Sequence, residues 1–184
     1  MAAEELTGGQ KAALAERIVC DRKEHPMPEY KATLSSARAC AEAGKTDVWV
    51  HRYLNGEGRN APFSEGLRLC KRYYVGPARF PLRLFRRITG PEAEMPYRVD
   101  AGGWAGRVAG LEAAVRQDPD LPPLIVHYVD GDFELNDGNH RWQAYQNVGT
   151  ESVWAIVWIT EEAEKEDFFA RYGEYVQGCA VVRG

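Results

Sequence analysis

The chain has little of what several function classes require. Its four cysteines (Cys20, Cys40, Cys70 and Cys179) lie far apart and form no Cys-x-x-Cys pair. That excludes a disulfide framework and a zinc knuckle, and it fits reduced thiols in the cytoplasm. No apolar run approaches the ~18 residues that a membrane-spanning helix needs, and the opening MAAEELTGGQ lacks the basic-then-apolar order of a signal peptide. A cationic surplus is missing as well. The formal net charge is −4 over 184 residues, opposite in sign to a domain built mainly to grip nucleic acid. Internal repeats and low-complexity stretches are absent too. The expectation is a cytoplasmic, soluble protein of one domain with an added subdomain, and the 45% hydrophobic content suffices for a buried core.

Charge is present, but unevenly placed. Between Gly66 and Gly90 stand seven basic side chains (Arg68, Lys71, Arg72, Arg79, Arg83, Arg86, Arg87) and no acidic one. Glu161–Asp167, EEAEKED, is the reverse. A solvated face and a helix N-terminus account for both. The basic stretch also offers a surface for DNA phosphates through Arg79, Arg83, Arg86 and Arg87.

The order of elements can be read from periodicity. GGQKAALAERIVCDRKEH is expected to be helical up to the proline pair of HPMP. EYKATLSSARACAEAGK repeats the pattern and ends on Gly44, a plausible C-cap. Residues 46–76 read as a short apolar run and a polar loop whose His51, Arg52, Glu57 and Arg59 either line a pocket or are ordinary surface charges. From Phe80 the expectation is a strand in RFPLRLF, a helix over AGGWAGRVAGLEAAVRQ and a hairpin of LIVHYV and FEL about the DGD turn. A second helix, the strand SVWAIVWIT and a last helix carrying Phe168, Phe169, Tyr172 and Val176 follow. The fold class is therefore α+β. A small mixed sheet flanked by helices spans residues 80–184, preceded by an N-terminal helical extension over residues 1–79.

The most specific stretch is DGNHR, Asp137–Arg141, between the hairpin and the second helix. The first N–H groups of a helix have no intrahelical partner and carry partial positive charge. Asp137 suits an N-cap, and Gly138 lets a ligand approach the backbone. His140 can donate a hydrogen bond or carry a proton, and Arg141 has the fork that fits phosphate oxygens. Together they read as an anion cradle. The alternative reading of the same residues is an ordinary cap, a satisfied ring and a surface arginine.

The run PPLIVHYVDGDFELNDGNHRWQAYQNVGTESVWAIVWI resembles the core of the ParB/sulfiredoxin superfamily, with FPLRLF and YRVD…WAGRVAGLEAAV resembling its first strand and arginine-led helix. The resemblance covers about residues 80–160. It implies a ParB/sulfiredoxin-like fold that binds a nucleotide, ATP, ADP or CTP, with Mg²⁺. Phosphates would be held by Gly138, Asn139, His140 and Arg141, with Arg98 reaching them from the opposite side. Sulfiredoxins carry a cysteine where this chain has Asn139, so thiol chemistry is not expected. ParB proteins carry a helix-turn-helix domain after the core, for which residues 161–184 are too few. Free serine kinases of this fold carry Asp-Gly-His-His-Arg, nearest to this motif, and phosphorylate a small hydroxyl.

The resemblance thus implies a small phosphotransferase or nucleotide hydrolase, with Asp137, His140, Glu92 and Glu94 as its catalytic groups and no metal bound by the protein alone. Its rival is a non-catalytic ParB-like module that senses a nucleotide or binds DNA, with the N-terminal helices serving a homodimer. A nuclease would need clustered acidic ligands, and only Asp130, Asp132, Glu134 and Asp137 stand near one another.

Overall fold

A computed structural model describes residues 26–117 and 119–184. Three helices come first: α1 (Leu34–Glu42), α2 (Thr46–Asn55) and α3 (Ala61–Leu67). Then come β1 (Tyr73–Pro81), a 3₁₀ turn (Leu82–Leu84), β2 (Phe85–Arg87), β3 (Thr89–Gly90), β4 (Tyr97–Arg98) and α4 (Ala101–Gln117). The chain continues through β5 (Leu124–Val129), β6 (Asp132–Asp137), α5 (Asn139–Asn147), β7 (Ser152–Ile159), α6 (Glu162–Tyr172), a 3₁₀ turn (Gly173–Val176) and β8 (Val181–Arg183).

Six strands form one mixed sheet in the order β2-β6-β5-β7-β1-β8. β5 and β7 pair in parallel at its centre, as do β2 and β6 at one edge. The central strands are unbroken apolar runs because both of their faces are covered. On one face Leu124, Val126, Val157 and Ile159 pack with Phe168 of α6. On the other, Ile125, Ile156 and Trp158 pack with Trp49, Val50 and Leu54 of α2. The sheet curls strongly. β1 and β2 lie four places apart in strand order, yet the Phe80 and Phe85 rings sit 5.8 Å apart, and Phe133 is 5.9 and 5.6 Å from them. The β5–β6 hairpin turns on Asp130 (φ +52°) and Gly131 (φ +81°), the left-handed pair that a two-residue turn uses.

Several expectations are revised. FPLRLF is not one strand: it is split between the end of β1, the 3₁₀ turn and the start of β2. The run read as loop after Thr46 is the helix α2, which buries Trp49, Val50, Tyr53 and Leu54 at helical spacing. The boundary expected between residues 79 and 80 falls inside β1, and α1–α3 are one layer of the fold, joined to the sheet by a shared core. The expected helix over residues 8–25 lies outside the described residues.

The helix α4 is exposed and glycine-rich: nothing stands within 4 Å of a Cβ added at Gly106 or Gly110. Each glycine costs a helix interior about 1 kcal/mol relative to alanine. Gly106→Ala and Gly110→Ala should each stabilise the protein by roughly that amount, read as a higher urea midpoint at unchanged slope. A neutral or destabilising result at both sites would mean that this face of α4 is covered in solution.

Candidate functional site: the start of helix α5

The hairpin strand β6 delivers the chain to α5 through Gly138, whose φ of +96° no side chain adopts easily. A Cβ there would collide with Leu124 Cδ2 and come within 3.1 Å of Arg141 Nη2. Gly138 is the N-cap, no side chain caps the helix, and the first intrahelical bond runs from the Trp142 N–H to the Gly138 carbonyl at 2.8 Å. The N–H groups of Asn139, His140 and Arg141 therefore lie ahead of the helix ladder.

Both charged ends of DGNHR turn inward, which corrects two expectations. Asp137 is the last residue of β6 and does not cap α5. Its Oδ2 lies 3.1 Å from Arg141 Nη2, with side-chain exposures of 13% and 7% for the pair. Arg141 is no free fork for phosphate. Its Nη1 donates to the carbonyls of Pro122 and Pro123, and its Nη2 donates to Tyr53 Oη (2.9 Å) and Asp137. Burial raises the pKa of the Asp137 carboxyl, opposed by Arg141 and by a hydrogen bond with Tyr53. Burial likewise raises that of Tyr53, to about 12. Tyr53 belongs to α2, so the N-terminal layer completes this buried centre.

Asn139 is also engaged. Its Oδ1 accepts from the N–H groups of Ile88 and Thr89 (both 3.2 Å), and its Nδ2 donates to the Leu135 carbonyl (3.1 Å). The amide ties the β2–β3 junction to α5, and only its backbone N–H is left for a ligand. A cysteine at this position could not make these three bonds.

His140 is the motif side chain nearest to solvent. Its ring packs against Trp104 of α4 with centroids 4.2 Å apart and planes tilted by 34°. Burial, then Arg107 and Arg87, hold its pKa below the ordinary histidine value, so it is a neutral donor or acceptor at neutral pH. Arg87 sits over both Trp104 (5.0 Å) and Trp142 (5.4 Å) and pairs with Glu92 at 2.5 Å. The hydrogen bond from Arg87 lowers the Glu92 pKa. Glu92 Oε2 is buried without a hydrogen-bond partner among the described residues. Glu94 and Arg98 are both exposed, Arg98 on β4, and neither is brought into this cluster by a contact. Sequence reasoning passed over Trp104, Arg107 and Tyr53. Trp104 and Arg107 carried a signal, an aromatic and a cation three residues apart on a helix that packs against α5.

The four arginines read as a DNA surface do not form one cationic face. Arg87 is turned in on its tryptophans, Arg86 pairs with Glu134 at 2.5 Å, and Arg79 donates to Ser152 Oγ at 2.7 Å. Only Arg83 is exposed without such a contact among the described residues. No group of three or more His, Cys, Asp or Glu that could hold a metal ion occurs among the described residues. No described helix is long and apolar enough to cross a membrane. His51 and Arg52, with Tyr30, Asp47 and Arg68, line an open cavity of about 650 Å³ on the helical layer, away from α5.

A curled mixed sheet flanked by helices, with a glycine-led helix after its hairpin, makes this an α+β fold. Residues 100–168 match the family model of the ParB N-terminal domain. Among solved structures, sulfiredoxin from Arabidopsis thaliana is 26% identical over 52% of this chain and 96% of its own, with a TM-score of 0.34. The C-terminally truncated chromosome-partitioning protein ParB from Caulobacter crescentus, complexed with CTP-gamma-S, is 17% identical over 53% of this chain and 54% of its own (TM-score 0.35). The same truncated ParB complexed to the centromeric parS site is 20% identical over 45% of this chain and 38% of its own (TM-score 0.31). The match thus takes in about half or less of the ParB chains. No curated protein sequence matches the chain.

Proposed function

We propose that this protein is a nucleotide-binding module, with phosphate oxygens resting on the uncapped N–H groups of Asn139, His140 and Arg141. The observation that carries the reading is the bare start of α5. A left-handed glycine opens the backbone, no side chain makes a capping hydrogen bond to the first turn, and the neighbouring His140 ring is neutral. Helix N-termini of this kind favour anions through their unpaired N–H groups and their dipole. His140 donates to a phosphate oxygen, and Arg98 approaches from the β4 side. Arg141 and Asn139 serve by holding the turn in place. ATP, ADP or CTP are the candidate ligands, as the resemblance of the motif to its superfamily implies. Asp137 and Glu92 are committed to Arg141 and Arg87, so they do not fit as Mg²⁺ ligands. Mg²⁺ would arrive on the nucleotide's own oxygens.

A second reading, phosphoryl transfer to a small hydroxyl or hydrolysis, is favoured by one observation. Glu92 Oε2 is a buried carboxylate oxygen with no hydrogen bond among the described residues, an acceptor that can orient a substrate hydroxyl or water. DNA as a partner rests on Arg83 and its neighbours, and a salt-dependent shift of labelled DNA lost on Arg83→Ala tests it.

Melting curves with ATP, ADP, CTP and GTP, with and without Mg²⁺, test the main reading. A ligand at a hundred times its Kd adds about 2.7 kcal/mol, a rise of roughly 5–10 °C for a chain of this size. His140→Ala combined with Arg98→Ala should remove most of that rise while leaving the ligand-free melting temperature within a few degrees. A wild type unmoved by every nucleotide sinks the proposal. Where a nucleotide does bind, phosphate release or transfer that disappears in Glu92→Gln separates the enzyme from the sensor.

A further inference from the structure

A second cavity, of about 710 Å³, lies at the opposite side of the sheet's centre from the β6–α5 turn, between α1, the outer half of β1 and the segment Gln177–Ala180. Its floor is aromatic and its walls are cationic. Trp154 on β7 and Arg79 on β1 are register partners, so their side chains leave the sheet on the same face. Arg38, on α1, places its guanidinium 5.3 Å from the centre of the Trp154 ring. Arg79 donates through Nη2 to Ser152 Oγ at 2.7 Å, which holds the side chain beside that ring. Among the described residues neither arginine forms an ion pair.

The backbone around these groups is shaped to leave room. β1 bulges between Val75 and Ala78, interrupting its pairing with β7. Gly76 is fixed in that bulge at φ +103°, where a Cβ would come within 2.9 Å of the Ala155 carbonyl. Bulges of this sort redirect side chains and open the surface beside functional sites. Cys179 closes the far wall with its Sγ 4.0 Å from the Pro77 carbonyl. Glu42, also in the lining, adds one negative charge at the α1 rim.

We propose that this cleft binds a small planar monoanion, an aromatic or heteroaromatic carboxylate, distinct from any ligand at α5. The ring lies along Trp154, taking the indole face that Arg38 now covers from above. The carboxylate accepts hydrogen bonds from Arg38 and Arg79. Two guanidiniums unpaired by acids beside a partly buried indole that lines the cavity, in a chain of net charge −4, are the combination that recognises a flat acid: stacking for the ring, a planar fork for the carboxylate. Glu42 sets the preference for one negative charge over two, because a dianion would meet its carboxylate at the rim.

Isothermal titration of the full chain with indole-3-acetate, and with inorganic phosphate as the comparison, tests this. Saturable binding of indole-3-acetate is expected. It should weaken by roughly tenfold or more in Arg38→Ala, a loss of one charge-assisted contact, and by a smaller factor in Arg38→Lys, which keeps the charge and loses the fork. Arg79→Gln should weaken it comparably. Arg38 and Arg79 are exposed, so their variants should melt near the wild-type temperature. His140→Ala, which removes the nucleotide contact, should leave this binding unchanged. Absence of binding in the wild type overturns the proposal, as does equal affinity in wild type and Arg38→Ala. Phosphate binding as tightly as the aromatic acid overturns it too, since the cleft would then hold anions without regard to shape.

Discussion

Arg141→Ala is expected to destabilise the protein by about 3–5 kcal/mol, the cost of removing one partner from a buried ion pair. That is a large part of the stability of an ordinary domain. The guanidinium is 6% exposed and joins four elements of the chain: the Pro122–Pro123 carbonyls ahead of β5, Asp137 at the end of β6, Tyr53 on α2, and α5 itself. Alanine would strand two carbonyls, a phenol and the Asp137 carboxylate together, each unsatisfied and out of water. Urea unfolding measures the loss. A decisive companion is Arg141→Met with Asp137→Leu, which removes both charges while filling the space. It should recover much of the deficit, because the charged pair is costly to bury. A single substitution costing under ~1 kcal/mol would show that the pair is not the anchor the geometry indicates. For the same reason Arg141→Ala is a poor probe of nucleotide binding: lost binding would report lost folding.

The second large effect is on pH. His127 lies on β5 with its ring stacked on Trp158 at 3.5 Å and 3°, and its Nε2 is buried without a hydrogen-bond partner among the described residues. Burial, with Arg72 adding to it, lowers its pKa from 6.5 to about 4. The unfolded chain therefore takes up a proton near 6.5 that the folded chain refuses until about 4. Stability contributed by the neutral ring is fully present above 6.5 and declines as pH falls from 6.5 to 4. At about 1.4 kcal/mol for each pH unit of that window, the loss has a ceiling of about 3.5 kcal/mol. His127 is only partly buried, so solvent screening should hold the measured loss below that ceiling. His51 and His140 are lowered in the same sense by burial, so the wild-type slope is the sum of all three. His127→Phe keeps a ring on Trp158 and removes the titration. Its unfolding free energy should vary visibly less between about pH 7 and pH 4.5 than that of the wild type. Equal slopes would mean that water reaches the imidazole.

Much of the fold was legible because its elements carry one dominant period. LIVHYV and SVWAIVWI are unbroken apolar runs, and both are strands of the sheet centre. The α4 range coincides with the run AGGWAGRVAGLEAAVRQ. β1 was hidden because Gly76 and Pro77 interrupt its run of strand-forming residues, whereas the strand absorbs them as a bulge. α2 was hidden by the polar loop that follows it, although Trp49, Val50, Tyr53 and Leu54 fall on one helical face. At the motif, the glycine turn and the helix start were readable from local chemistry. The inward turn of Asp137 and Arg141 was not, because their partners, Tyr53 and the two proline carbonyls, are distant in sequence. Nothing within DGNHR says whether its arginine meets solvent or carbonyl oxygen.

Tyr53 has a consequence for how this chain can be divided. The stretch that matches the ParB N-terminal domain begins at residue 100, and a cut at residue 80 looks natural from the motif alone. Either cut discards α2, and with it the phenol that closes over Arg141 and the tryptophan that lies against that phenol. The excised piece would expose a guanidinium and the sheet face made by Ile125, Ile156 and Trp158. The recognisable part of the protein is thus a graft that depends on its host. The helices before β1 are structural members of the same core as the sheet, and losing them should show first as lost solubility.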